Sequence, residues 1–488
     1  MSQKKTTRRK FLKTAAATGA GAYGFWISGR QTWADELASR SANEKVNVAC
    51  IGIGGKGDSD SSQAALYANI VAICDVDEQR LARKAAQFPK AKKFTDFRKL
   101  FDAMGREIDA ATISTPDHTH AVATMMAIKL GKGVYTQKPL AHDVWEARQL
   151  RLAAKAHKVA SQMGNQGTST DRLREGVEVI RAGAIGPVRE VHVWTDRPTN
   201  WWPQSPDIRT RPPEAPVPEY LHWNEWLGTA PARPYAKKYY HPHNWRGWWD
   251  FGSGALGDMG CHTANLPFMA LGLAHPTSIQ AQSETPNPET YPAWAKITYQ
   301  FPARGQQPPV TLTWYEGHKD GQLVQPPQEL ISKVVSEYNK ALKARNDKRV
   351  ANGKTAPLAI GGSIMVGDKG ILYSPVDDGR QWELLPADAY RDYKMPPPTL
   401  PRNPELHGDN NKMDEAHKAE WLAAVKGGPP ALSNFNYAGL LAETILLGNV
   451  AIRAGGEKLE WDATNLRFPN APQADKWLRR RYREPWTL

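Results

Sequence analysis

Cysteine is scarce, with only Cys50, Cys74 and Cys261 among 488 residues. Three thiols cannot build a disulfide framework or a four-cysteine zinc site, so a stapled mini-protein and a zinc ribbon are both excluded. No run approaches the roughly eighteen apolar residues that a membrane span needs. Internal repeats and low-complexity tracts are missing too, which excludes solenoids and collagen-like chains. The remainder is ordinary globular composition: 41% hydrophobic and 23% charged residues supply a sizeable core. A chain this long is expected to form about two to three domains.

Charge of one sign is also unevenly spread. The formal net charge is +13, and residues 1–34 carry seven basic residues without a single acid. What is left over is modest for the length. A second basic cluster, Lys476, Arg479, Arg480, Arg481 and Arg483, reads as a solvated tail face, since no nucleic-acid motif accompanies it. Nucleic acid is therefore not an expected partner.

The first residues have the three parts of an export signal in order. Thr7-Arg8-Arg9-Lys10-Phe11-Leu12-Lys13 precedes a weakly apolar stretch over 14–28, then Thr32-Trp33-Ala34 offers a cleavage site. The paired arginines followed by Phe-Leu-Lys resemble a twin-arginine signal. That resemblance implies a periplasmic or otherwise exported protein, a partnership with the twin-arginine machinery, and passage in the folded state with a cofactor in place. No cysteine near the cleavage point suggests a lipid anchor.

From residue 46 short β-branched runs alternate with helical stretches. Strands are expected at 46–51, 70–74, 110–114, 134–136 and 159–163, and helices at 61–68, 78–87, 121–130 and 144–156. Asp96 and Asp143 are placed to cap the helices after them. The alternation argues for a doubly wound parallel α/β domain over 45–165. A helix at 171–182 leads into a strand at 188–195. Residues 197–220 hold seven prolines and read as a long ordered loop. Further strands are expected at 295–300, 310–314 and 364–373, with a surface helix at 327–346 and a buried helix at 440–454. Residues 166–460 thus read as an α+β domain on a large open, mostly antiparallel sheet, for substrate binding and oligomerisation, ahead of a tail at 461–488.

The first strand runs into Gly52-Ile53-Gly54-Gly55-Lys56-Gly57, a G-x-G-x-x-G in strand-to-helix context. Glycines let the backbone turn tightly and approach a pyrophosphate, which the helix N-terminus then faces. The second strand ends in Asp75, placed to accept from ribose hydroxyls. Its charge favours NAD over NADP, with nearby Arg80 leaving NADP open.

Two further segments are distinctive: Ser114-Thr115-Pro116-Asp117-His118-Thr119-His120, and Thr136-Gln137-Lys138-Pro139 after the fifth strand. Much later comes Gly257-Asp258-Met259-Gly260-Cys261-His262. With the glycine loop, these resemble the Gfo/Idh/MocA oxidoreductases, over nearly all of the chain after residue 45. The resemblance implies that Lys138 binds the reacting hydroxyl, His262 accepts its proton, and Asp258 orients or assists the histidine. It also implies that Thr115, Pro116, His120, Gln137 and Lys138 line the nicotinamide side of the cofactor site; the family's usual glutamate before the lysine is here Gln137, which cannot neutralise Lys138. On a helix, Asp258 and His262 share one face and can hydrogen-bond. A histidine suits removal of a hydroxyl proton as hydride leaves for a nicotinamide.

Eight of the eighteen tryptophans fall between Trp194 and Trp249. Aromatic faces edged by polar donors suit pyranose rings, and Trp201, Trp202, Trp245 and Arg246 are the candidate substrate contacts. The competing reading is an aromatic core or a subunit interface. No third ligand accompanies Asp258 and His262 to make a zinc site; Cys50 and Cys74 read as inert packing in buried strands, and Cys261 has no evident cationic activator beyond His262. The expectation is an exported oxidoreductase with tightly bound NAD(P), moving hydride to or from a sugar, glycoside or polyol. The alternatives are a redox-neutral glycosidase, lyase or epimerase working through a transient keto-sugar, and a non-catalytic sugar or nucleotide sensor.

Overall fold

The structure, a computed structural model, describes residues 45–488; the export signal read at 1–34 lies outside them. Apolar, β-branched runs form the centre of a six-stranded parallel sheet. Its strands are β1 (Asn47–Ile51), β2 (Asn69–Cys74), β3 (Lys92–Phe94), β4 (Ala110–Ile113), β5 (Gly133–Thr136) and β6 (Ser161–Met163), ordered β3-β2-β1-β4-β5-β6. Helices α1 (Lys56–Tyr67), α2 (Glu78–Gln87), α3 (Phe97–Met104), α4 (Asp117–Lys129) and α5 (Val144–His157) make the crossovers. Asp96 caps α3 by accepting from the Arg98 N–H, and Asp143 with Glu146 forms a capping box on α5.

Three boundaries in this lobe differ from the sequence expectation by two residues or more, β6 starting at Ser161 rather than 159. Helices α1 and α4 begin at Lys56 and Asp117 rather than at 61 and 121, because their first turns are polar and carry no apolar periodicity. Strand β3 was not anticipated: Lys92-Lys93-Phe94 is an edge strand with two exposed lysines, which leaves no burial pattern to read.

After α6 (Asp171–Arg181), strand β7 (Val188–Thr195) opens the second lobe. The proline-rich stretch 197–220 holds no helix or strand. The short helix α7 (Trp223–Leu227) precedes α8 (Gly254–Thr263) and α9 (Asn265–Ala270). Strands β8 (Ser278–Ser283), β9 (Trp294–Phe301), β10 (Val310–Lys319), β11 (Gln322–Leu323), β12 (Gly362–Gly367), β13 (Ile371–Ser374), β14 (Glu383–Leu385) and β15 (Leu459–Glu460) complete a nine-stranded sheet. Only the β7–β10 pairing is parallel, so the sheet is mixed and mostly antiparallel. The single strand expected at 364–373 is a hairpin, turned where the Gly367 N–H donates to the Gly370 carbonyl.

Helix α10 (Gln328–Ala344) lays Val334, Tyr338 and Leu342 over Trp194, Tyr315 and Tyr373 of the sheet. Helix α12 (Phe435–Arg453) is long and apolar enough to cross a membrane by length and composition, contrary to the reading that no such run exists, but it is buried in the core. Helix α11 (Met413–Val425), unanticipated, returns to the first lobe, where Trp421 and Leu422 pack with Val48, Cys50 and Tyr135.

The basic cluster near residue 480 is only partly a solvated face: Lys476, Arg479 and Arg481 are exposed, whereas Arg480 and Arg483 are tied down. Arg480 donates to the Thr229 hydroxyl at 2.6 Å and to Glu146 at 3.2 Å, while Arg483 donates to Asn224 Oδ1 at 2.7 Å. Periodicity could not reveal this, because the partners lie hundreds of residues away in sequence.

Candidate active site

The carboxyl ends of the parallel strands open into a cavity of about 580 Å³, whose other wall is the second lobe. At its floor Gly52 turns with φ +74°, and a Cβ there would stand 2.7 Å from the Ser114 and Thr115 backbone. A Cβ on Gly57 would overlap the Gly52 carbonyl, so these two glycines let the loop pack. Gly54, Gly55 and Lys56 line the cavity at the N-terminus of α1, with open space above Gly55. Ile53 and Gly57 do not line it. The Ile53 N–H instead donates to Asp75 Oδ2 at 2.9 Å, and Gly57 supports the turn from beneath.

Asp75 accepts a second amide, from Asp77, at 3.0 Å. Two amides leave a carboxylate with lone pairs for ribose hydroxyls. Burial pushes its carboxyl above the usual range. Arg80 lies against Gly54 and pairs with Asp77 at 3.6 Å. A glycine cradle at a helix N-terminus with an acid one strand away fits a dinucleotide.

Thr115, Pro116, His120, Gln137 and Lys138 line the opposite end. The two ring nitrogens of His120 meet the Pro139 carbonyl at 2.8 Å and the Thr115 carbonyl at 2.7 Å, bracing the β4 and β5 exits together. Gln137 donates to Asp60 Oδ2 at 2.8 Å, and Lys418 donates to Asp60 Oδ1 at 2.7 Å, both members of that ion pair being fully buried. Burial works against the Asp60 charge, but Lys418 and Lys56 outweigh it and hold the carboxyl below its usual range.

Lys138 Nζ donates to Asp258 Oδ1 at 2.9 Å and to the Asp258 carbonyl at 2.5 Å. Arg246 reaches Oδ1 at 3.2 Å and Arg197 pairs with Oδ2. Against the penalty of burial, these three cations hold the Asp258 carboxyl far below its usual range. The expected Asp258–His262 hydrogen bond is not made among the described residues; the cations claim the carboxylate. Lys138 accordingly has a counter-charge despite Gln137, which corrects the reading from the motif. His262 lines the cavity half-buried, and burial together with Lys138 holds its imidazole well below the usual range, in the neutral form. Among the described residues no cluster of His, Cys, Asp or Glu could hold a metal.

Trp201, Trp202, Trp245 and Arg246 line the same cavity. The Arg197 guanidinium lies 3.7 Å from the Trp201 ring centroid and that of Arg246 lies 4.3 Å from Trp245. Most other tryptophans of the cluster are core: Trp226 and Trp248 pack with Tyr240 and Phe251, and Trp194 stacks on Tyr373. Burial pushes the Cys50 and Cys261 thiols up to about 11 and about 12, consistent with inert packing. Sequence reasoning missed Arg197, Asp60, Lys418 and Trp486; Arg197 sits in an aperiodic loop, and the others meet the site only through tertiary contacts.

The fold and cavity define a Rossmann-type nucleotide-binding domain joined to an α/β domain that completes its cleft. Residues 46–165 match the family model described as the oxidoreductase family's NAD-binding Rossmann fold, and residues 172–328 match its C-terminal alpha/beta domain. The two matches together cover more than half of the chain, which belongs to the Gfo/Idh/MocA oxidoreductase family. Among curated relatives, an inositol 2-dehydrogenase of Saccharopolyspora erythraea is 28% identical over 30% of this chain and 44% of its own length. A glycosyl hydrolase family 109 protein of Shewanella putrefaciens is 29% identical over 37% of this chain and 43% of its own. The matched segments thus span under half of these relatives. The solved structure of the WlbA dehydrogenase of Bordetella pertussis, in complex with NADH and UDP-GlcNAcA, superposes with a TM-score of 0.54 at 15% identity, covering 86% of this chain and 99% of that one.

Proposed function

We propose that this protein is an exported NAD-dependent oxidoreductase acting on a hydroxyl of a sugar, glycoside or polyol. The observation that carries this is the placement of Lys138, Asp258 and His262 at one end of the cavity whose floor is the glycine loop. A bound nicotinamide supplies the acceptor for the hydride that leaves the carbinol carbon. Lys138 spends two N–H groups on Asp258, so its third donates to the substrate oxygen and stabilises negative charge there. Neutral His262 takes the hydroxyl proton. Asp258 positions Lys138 rather than His262. Trp201 and Trp245, held by their stacked arginines, offer faces to the sugar ring.

The residues 1–34 signal supports export through the twin-arginine route and a periplasmic location. No pool of dinucleotide is maintained there, so the cofactor must arrive seated and be recycled in place. The similarity to a glycosyl hydrolase family 109 protein favours one second reading. In that reading the sugar gives its hydride to the bound nicotinamide and becomes a transient ketone, the acidified adjacent C–H loses its proton as the aglycone leaves, water adds to the resulting double bond, and the held hydride returns to the carbonyl. Incubation with a panel of sugars, polyols and aryl glycosides separates the two. An oxidised product together with a reduced second substrate supports the oxidoreductase; released aglycone with no net redox change supports the second reading. No turnover of any class, with ligands still bound, refutes both in favour of a sensor.

A further inference from the structure

We propose that Trp486 is a contact for the adenosine half of the dinucleotide, and that the segment 478–488 is a strap that slows cofactor release. The inference rests on the proposed dinucleotide site. Strand order sets the direction of the cleft: Lys138 follows β5 on one side of β1, while Asp75 follows β2 on the other and Thr95, Asp96 and Phe97 follow β3 beyond it. The base therefore lies beyond Asp75, against the residues that leave β3. Trp486 lines the cavity there, although it arrives almost four hundred residues later in the chain. Its ring is buried, tilted against Phe97 at 5.7 Å, with the Arg98 guanidinium 4.3 Å from its centroid.

The approach to Trp486 is fastened to both lobes. Tyr482 donates to Glu146 of α5 at 2.6 Å. The Arg483 N–H donates to the Thr229 carbonyl at 3.1 Å, and its guanidinium donates to the Asn224 and Gly228 carbonyls at 2.8 and 3.0 Å. A segment with no helix or strand in its last residues is thus held by side-chain pins, with an aromatic ring set at the cavity wall. Such a ring suits a purine, whose stacking is broad and sequence-tolerant. Neither the glycine loop nor the catalytic motif accounts for it.

The test uses the full chain and NADH, ADP-ribose and nicotinamide mononucleotide as probes. Trp486→Ala is expected to speed NADH release about tenfold and to weaken ADP-ribose by a similar factor, leaving nicotinamide mononucleotide within about twofold. Trp486→Leu, which keeps apolar bulk in the slot, is expected to behave like alanine, and Trp486→Phe to regain most of the affinity. Unchanged NADH release and ADP-ribose affinity in both alanine and leucine variants overturn the proposal while leaving the proposed function standing. Equal weakening of all three probes also overturns it, because general loosening of the cleft does not discriminate between the two ends. A wild-type protein that binds neither NADH nor ADP-ribose overturns the proposed function as well.

Discussion

Lys138 is the residue expected to stabilise the negative charge that develops on the substrate oxygen. Its two hydrogen bonds to Asp258 fix the ammonium without filling it. Lys138→Met, which keeps the length and removes the charge, is expected to lower kcat by at least about a hundredfold while NADH affinity stays within about twofold. Equal loss of NADH binding would move the lysine from chemistry to cofactor docking. His262 sets the pH response. Its proton affinity is lowered by burial and by Lys138, so the neutral base persists well below pH 6.5. The acid limb of kcat/KM is therefore expected below that pH, and activity should be level between about pH 6.5 and 8. A limb centred at or above 6.5 would count against a buried neutral histidine. The sign for stability is the same: between the folded and unfolded values the unfolded chain binds the extra proton, so stability rises with pH in that window and falls as the solution is acidified. Lys138, Asp258 and His262 were singled out by motifs that resemble the family's, and they line one cavity, although the four-residue spacing of Asp258 and His262 does not give the hydrogen bond it suggested. Arg197 was not singled out, since it reaches Asp258 across 61 residues from a loop without a pattern.

Between elements, the strongest unread feature is the link from α11 to α1. Lys418 and Asp60 are separated by 358 residues, yet they pair with no exposed side chain on either partner. Removing one partner leaves an uncompensated buried charge. Lys418→Met is expected to lower unfolding free energy by about 3–5 kcal/mol in urea, with Asp60→Asn in the same chain returning much of it. A single-variant loss under about 1 kcal/mol would mean the pair contributes little. Elements with a buried face were readable in advance: α2 and β7 fall where periodicity puts them, and α12 shows its apolar circumference. Strand β3, with two exposed lysines, and α11, whose apolar and polar residues answer to the other lobe, lack a local signature. The β12–β13 hairpin was merged into one strand because a glycine pair marks a turn only once pairing partners are known.

At the scale of the whole molecule, the alternation of strands and helices made the first lobe legible, and the shift to prolines and separated strands marked the second. The closing of one lobe on the other could not be read from any window of sequence. It depends on α11, on the 478–488 segment and on the cation cluster around Asp258, each joining residues far apart in the chain. Composition was equally silent on Arg480 and Arg483, whose contacts make them fasteners within an otherwise exposed basic tail.

The pair formed by Lys418 and Asp60 has one more consequence. Asp60 also accepts from Ser114 and Gln137, just past the ends of β4 and β5, so one carboxylate moors both strand exits to a helix supplied from far down the chain.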